Sequence, residues 1–123
     1  MDPNNTHGAP SWIEYSGPDA GKSRKFYEDV LDWSIKDMPM GDGSNYAAIA
    51  LGEKTIGGFN PRPAPGGGWT VYITVDDVDK RFKKAIAAGA KAAGEPMDVP
   101  GVGRMAHIVD PSGAPLAFIR YAN

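Results

Sequence analysis

The chain has 123 residues, no cysteine and a formal net charge of −2. This length predicts one domain that buries roughly two thirds of its unfolded surface, so no covalent staple is needed. The lack of cysteine excludes disulfides, thiolate metal sites and cysteine nucleophiles and suits a reducing cytoplasm; the slight acidity argues against nucleic acid, and no apolar run approaches the ~18 residues of a membrane span.

Met1 to Pro10 is polar, without the apolar core of a signal peptide, and reads as a flexible tail. Trp12 to Ser16 reads as a strand stopped by Pro18, and Asp19 is placed to cap a helix from Ala20 to Leu31. On that helix Phe26, Tyr27, Val30 and Leu31 share one face, and Phe26, Tyr27 and Trp33 are expected in the core. Trp33 to Met38, Tyr46 to Leu51 and Lys54 to Phe59 read as strands. The Pro/Gly-rich segment 61–68 is then a joint. Beyond it, Trp69 to Val75 is a strand rich in β-branched and aromatic residues. Asp76 or Asp77 caps a helix whose core face is Val78, Phe82, Ala85 and Ile86, and Gly89 fits its C′ position. Strands follow near Lys91 to Val99, Arg104 to Val109 and Ala114 to Tyr121, with Asp110-Pro111-Ser112-Gly113 suited to a type I turn.

The plan is stated twice. W-I-E-Y-S-G-P-D from Trp12 and T-V-Y-I-T-V-D-D from Thr70 each lead into an amphipathic helix and then into short strands. Two copies are too few for a solenoid, which needs three or more units to bury a core. The expected fold is therefore α+β. It has two βαβββ modules, 11–60 and 69–122, in one domain, with a curved, cup-shaped mixed sheet and both helices outside.

These residues resemble a known family. W-x-E-Y, Asp19, F-Y-E-D-V-L-D-W, Y-I-T-V-D-D-V-D and D-P-S-G-A-P-L-A, in that order, are similar to the vicinal oxygen chelate superfamily: glyoxalases, bleomycin resistance proteins and extradiol dioxygenases. The resemblance runs from about Trp12 to Tyr121. It implies paired βαβββ modules forming an open cup, frequently in homodimers, with His, Gln or Glu metal ligands on the inner face of metal-dependent members. At the matching positions this chain carries Trp12, Gly57, Thr70 and Ala117. Indole, glycine and alanine offer no usable lone pair, and a lone threonine hydroxyl does not hold zinc or iron. The resemblance therefore points to the metal-free branch, with no cofactor.

If Trp12 points into the cup, strand alternation takes Glu14 with it. Thr70, Tyr72 and Thr74 follow by the same matching, as do Thr55 and Phe59. His107, three residues before the Asp of D-P-S-G, faces the ligand in some members, with Met105 beside it. Glu14 and His107 are then a titratable pair fit for acid–base work. The alternative is that Glu14 accepts a hydrogen bond from Tyr72 or a backbone group and His107 is a satisfied, half-buried side chain. Trp12, Tyr46, Trp69 and Tyr72 are candidates for aromatic walls around a flat ligand, or for ordinary packing. Arg104 either meets an anionic ligand group or is a solvated cation.

Three other features carry no site. Asp76, Asp77 and Asp79 lack the spacing of a calcium loop and suit a helix start. The basic run Lys80 to Lys84 lies on the outer face of a helix. Gly66-Gly67-Gly68 does not follow a strand, so it is not a phosphate loop. His7 sits in the expected tail.

The reading of function is a cytoplasmic, homodimeric protein that holds a small, partly apolar metabolite or antibiotic-like ligand without metal, independent of membrane or nucleic acid. The alternative is a glyoxalase-like lyase or isomerase, or a hydroxylase-like enzyme, using Glu14 as base and His107 as its partner. A third is a structural subunit whose cup is filled by its own side chains.

Overall fold

The computed structural model describes residues 1–64 and 67–122; the middle of the expected joint, at 65 and 66, lies outside the described residues. The chain divides into two compact units, one of residues Trp12–Thr70, the other of Met1–Ser11 with the segment from Val71 onward. The divisions fall inside β1 (Pro10–Tyr15) and β5 (Trp69–Thr74).

In the 12–70 unit, β1 is followed by α1 (Ala20–Leu31), β2 (Ser34–Pro39), β3 (Asn45–Leu51) and β4 (Lys54–Phe59). The strand order is β2-β3-β4-β1. Neighbours β2–β3 and β3–β4 are antiparallel, and β4 lies parallel to β1. A parallel partner cannot be reached by a tight hairpin, which is why α1 and two further strands intervene. Asp19 caps α1 by accepting from the Lys22 N–H at 3.0 Å, a contact typically worth ~1 kcal/mol. The helix ends at Asp32, in the left-handed region with φ 56°, which Asp tolerates better than most residues with a Cβ.

The core of this unit is Ala47, Ile49 and Phe59, packed by Ile13, Tyr15, Tyr27, Trp33, Ile35 and Trp69. It is an aromatic core. Trp69 stands edge-on to Tyr15, Tyr27 and Phe59 at 5.2, 5.5 and 5.5 Å between ring centroids, and its indole N–H donates to the Tyr27 hydroxyl at 3.1 Å. The expected helix face differs. Tyr27 is in the core, but Phe26 is 56% exposed, and Val30 and Leu31 are also exposed. The half-buried stripe of α1 is Ala20, Ser23, Arg24, Tyr27 and Glu28, turned away from Phe26 by about 100° per residue. Phe26 instead lies against the Tyr27 ring at 5.1 Å.

In the second unit, β5 leads to α2 (Val78–Ala87), β6 (Lys91–Ala92), β7 (Met97–Val99), β8 (Gly103–Val109) and β9 (Pro115–Tyr121). The order is β5-β9-β8-β6, with β7 also pairing to β8. As in the other unit, the module's first strand lies parallel to its last, β5 to β9, and β8–β9 is antiparallel. The single strand expected near Lys91 to Val99 is broken into β6 and β7, because Gly94 takes φ 105° and Pro96 lacks an N–H. Asp77, not Asp76, caps α2, accepting from the Lys80 N–H. Gly89 adopts φ 107° just beyond the helix. Val78, Phe82, Val75, Ala90, Ala106 and Ile108 form the core. Asp110 opens the turn before β9, where the Gly113 N–H donates to its carbonyl at 3.0 Å.

The N-terminal ten residues are not a loose tail. Pro3–Asn5 form a turn of 3-10 helix capped by Asp2. The Gly8 N–H donates to the Thr74 carbonyl, the Thr74 N–H donates to the Ala9 carbonyl, and Ala9 is buried. Polar composition suggested a tail, but backbone ladder bonds do not depend on side-chain character.

Candidate functional site

Each unit has a sheet face turned away from its helix, and each such face carries one cluster of the expected site residues. In the 12–70 unit, alternation along β1 sends Ile13 and Tyr15 to the aromatic core, leaving Trp12 and Glu14 on the opposite face. Tyr46 of β3 joins them. Its hydroxyl donates to Glu14 Oε1 at 2.9 Å and accepts from the Trp12 indole N–H at 3.3 Å. The Trp12 and Tyr46 rings are tilted, with centroids 6.4 Å apart. All three side chains are half-buried. Within this unit, Tyr46 is a donor that orients Glu14.

The backbone beneath explains how Tyr46 reaches Glu14. In the β3–β4 ladder Ala48 faces Gly58, and a Cβ at Gly58 would collide with the Tyr46 ring. Glycine lets the ring lie across β4 toward β1. Sequence reasoning missed Gly58; the available signal was the Gly57-Gly58 pair inside a strand pattern, which marks close backbone approach.

The ladder also corrects the expectation for Phe59. Between Ala50↔Thr55 and Ala47↔Phe59, β3 advances three residues while β4 advances four, with the irregularity at Ile49/Ala50. One extra residue in a strand reverses which face the following residues take. Phe59, at 2% exposure, therefore lies in the core and not with Trp12. Trp69 is corrected likewise, since its ring is enclosed by Tyr15, Tyr27, Trp33 and Phe59. Thr70, at the end of this unit, is half-buried.

In the other unit, Tyr72 of β5, Ala117 of β9 and His107 of β8 form one row across three strands. The Tyr72 hydroxyl and His107 Nε2 are 2.8 Å apart, and their rings meet edge-on at 5.4 Å. Ala117 lies between them in the row, fully buried, and its small side chain leaves room for that bond. Met105 shares the His107 face, while Ala106 and Ile108 point to the core under α2. Arg104 does not present a spare cation. Its guanidinium makes two 2.8 Å bonds to the Asp79 carboxylate and one of 3.1 Å to Asp98. Those hydrogen bonds, Asp79 first, raise the Arg104 pKa and lower that of Asp79. Glu14 and His107 lie in different units, and each is oriented by a tyrosine of its own unit.

The comparisons with known proteins decide the family. Residues 10–118 match the model of the Glyoxalase/Bleomycin resistance protein/Dioxygenase superfamily. The chain belongs to this superfamily. CFP32 of Mycobacterium tuberculosis, provisionally named a glyoxylase, is 36% identical over 120 residues, covering 96% of this chain and 46% of that protein. The anthracycline biosynthesis protein DnrV of Streptomyces peucetius is 34% identical over 129 residues, covering 92% and 47%. The chain thus spans about half the length of these curated relatives. Among solved structures, BH1468 of Bacillus halodurans C-125 has the same fold, with a TM-score of 0.68, 15% identity and coverage of 96% and 97%.

Metal-dependent chemistry of the superfamily finds no suitable donor set at the matched positions. Trp12, Gly57, Thr70 and Ala117 stand there, and Gly58, on the Trp12 face, adds no donor. Among the described residues, no three or more His, Asp or Glu side chains cluster as a metal site would require.

Proposed function

We propose that this superfamily member binds a small, partly apolar metabolite or antibiotic-like molecule at a metal-free site built on Trp12, Tyr46 and Glu14. The observation that carries this reading is the half-buried hydrogen-bonded chain from the Trp12 indole through the Tyr46 hydroxyl to Glu14. Two aromatic rings present flat apolar area at little entropic cost, and the carboxylate held beside them gives one directional acceptor. A flat polycycle with a hydroxyl or ammonium group suits that surface. The similarity to an anthracycline biosynthesis protein supports the ligand class. In its own unit, the Tyr72–His107 pair with Met105 beside it is a separate polar and aromatic patch. The protein works as a homodimer in the cytoplasm, and no helix among the described residues is long and apolar enough to cross a membrane.

Fluorescence titration with an anthracycline tests this reading. Saturable quenching in the wild type, lost in Trp12→Ala and weakened in Glu14→Gln, is expected; equal binding by Trp12→Ala would refute it. Native mass spectrometry, with and without a chelator, reports the oligomer and any bound mass together. A chelator-sensitive metal mass would overturn the metal-free site.

One observation favours a second reading, an acid–base enzyme. Tyr46 donates to one oxygen of Glu14, which orients the carboxylate for work as a general base, while Tyr72 holds the His107 imidazole in its own unit. This version predicts a Glu14→Gln variant that still binds but has lost turnover.

A further inference from the structure

The unit that carries the chain's first residues contains a cavity of about 190 Å³ remote in role from the aromatic face. Asn4, His7, Thr74, Asp76, Arg120 and Tyr121 are among its walls. At ~30 Å³ per water it has room for roughly six waters, or for one organic molecule of similar heavy-atom count. That is below the size expected for a drug-like ligand.

Its polar groups are unevenly satisfied. Asn4 Oδ1 is buried and has no hydrogen-bond partner among the described residues. A buried amide oxygen left unpaired costs free energy, so a donor is expected to fill its place. Arg120 donates from one nitrogen to the Asp76 carbonyl at 2.7 Å. Unlike Arg81 and Arg104, it has no carboxylate partner among the described residues, so most of its five donors remain for a ligand. The Asp76 carboxylate does not cancel it, because Arg81 grips both of that carboxylate's oxygens at 2.8 and 2.9 Å. His7 Nδ1 accepts from the Asp76 N–H, which fixes the imidazole against the wall. The Tyr121 hydroxyl is held by Ser11 at 2.7 Å, and Ser11 accepts from Thr74 at 2.8 Å. Burial raises the Tyr121 pKa, so it serves as a neutral hydroxyl.

We infer that this cavity is a binding site for a small carboxylate carrying a hydroxyl or ammonium group on the neighbouring carbon. Arg120 takes the carboxylate through its planar fork. Asn4 Oδ1 accepts from the adjacent hydroxyl or ammonium, which satisfies the orphaned oxygen. A space of about 190 Å³ selects short acids over longer ones.

NMR titration of the full chain with glycolate, glycine and acetate tests the inference, because acetate has the carboxylate but no second donor. Glycolate or glycine is expected to shift the Asn4 side-chain amide and Arg120 resonances saturably, with acetate at least tenfold weaker. Whichever of the first two binds more tightly tells hydroxyl from ammonium. Arg120→Met and Asn4→Leu are each expected to lose saturation, while Arg62→Met, outside the cavity, keeps it. Thermal melts establish that the variants fold, and Arg120→Met stands if Asn4→Leu does not. No saturable shift with any probe would mean a water-filled cavity and overturn the inference, and acetate binding as tightly as glycolate would overturn the role of Asn4.

Discussion

The ring of Tyr46 occupies the space that a side chain at Gly58 would take. That relationship holds the Trp12–Tyr46–Glu14 chain together, since Tyr46 both accepts from Trp12 and donates to Glu14. Gly58→Ala should therefore push the ring off β4 and break both bonds. Overpacking of this kind costs about 1–3 kcal/mol. Denaturant unfolding should show that loss, and anthracycline affinity should fall with it. Wild-type affinity in the Gly58→Ala variant would show that the ring position is irrelevant to binding.

Phe59 and Trp12 make opposite predictions. Phe59 is core, so Phe59→Leu should lower stability and leave ligand affinity within about twofold, whereas Phe59→Ala should cost roughly 3–5 kcal/mol. Trp12→Ala should do the reverse, with a modest change in stability and a large loss of affinity. Paired melts and titrations of the variants separate the two roles.

Ala117 shares a strand row with Tyr72 and His107 and is fully buried. A carboxylate there would be desolvated and would compete for the Tyr72–His107 bond. Ala117→Glu is expected to destabilise the protein strongly, and Tyr72→Phe by about 1 kcal/mol. The His107 ring nitrogen resonances should move in both. An unperturbed His107 spectrum in Tyr72→Phe would contradict the bond.

Acid should weaken the fold through carboxylates that include Asp76, Asp79 and Asp110. Hydrogen bonds from Arg81 to Asp76, from Arg104 to Asp79, and from the Ala114 and Ser112 groups to Asp110 hold each below the ordinary 3.8. A lowered folded pKa gives stability that is complete above the unfolded value and disappears as pH falls through the folded one. Thermal melts should be flat with respect to these groups above about pH 5 and drop below about pH 4. Arg104→Met should remove part of that drop. High salt should shrink the Asp76 and Asp79 contributions, because those pairs are exposed to solvent. A steeper acid loss in Arg104→Met than in wild type would contradict the assignment.

Much of this architecture is written locally. The Asp19 and Asp77 caps, the Gly89 helix stop and the Asp110 turn are decided by residues within a few positions of each other, so they could be read in advance. The placing of Trp12 and Glu14 on one face, and of Met105 with His107, follows from the period-two geometry of a strand. The doubled pattern from Trp12 and from Thr70 likewise carried the family.

What the tertiary structure alone decided depends on register and on contacts distant in sequence. One extra residue in β4 reversed Phe59, and no local preference signals which side of a bulge a residue takes. The stripe of α1 that packs was chosen by the aromatic ring set around Trp69 rather than by the helix's own apolar residues. The N-terminal residues were fastened by backbone bonds to Thr74, to which composition is blind. Sequence sets torsions, caps and alternation because these act over a few residues; which ring meets which carboxylate is set by pairing energies summed over strands that the chain brings together only on folding.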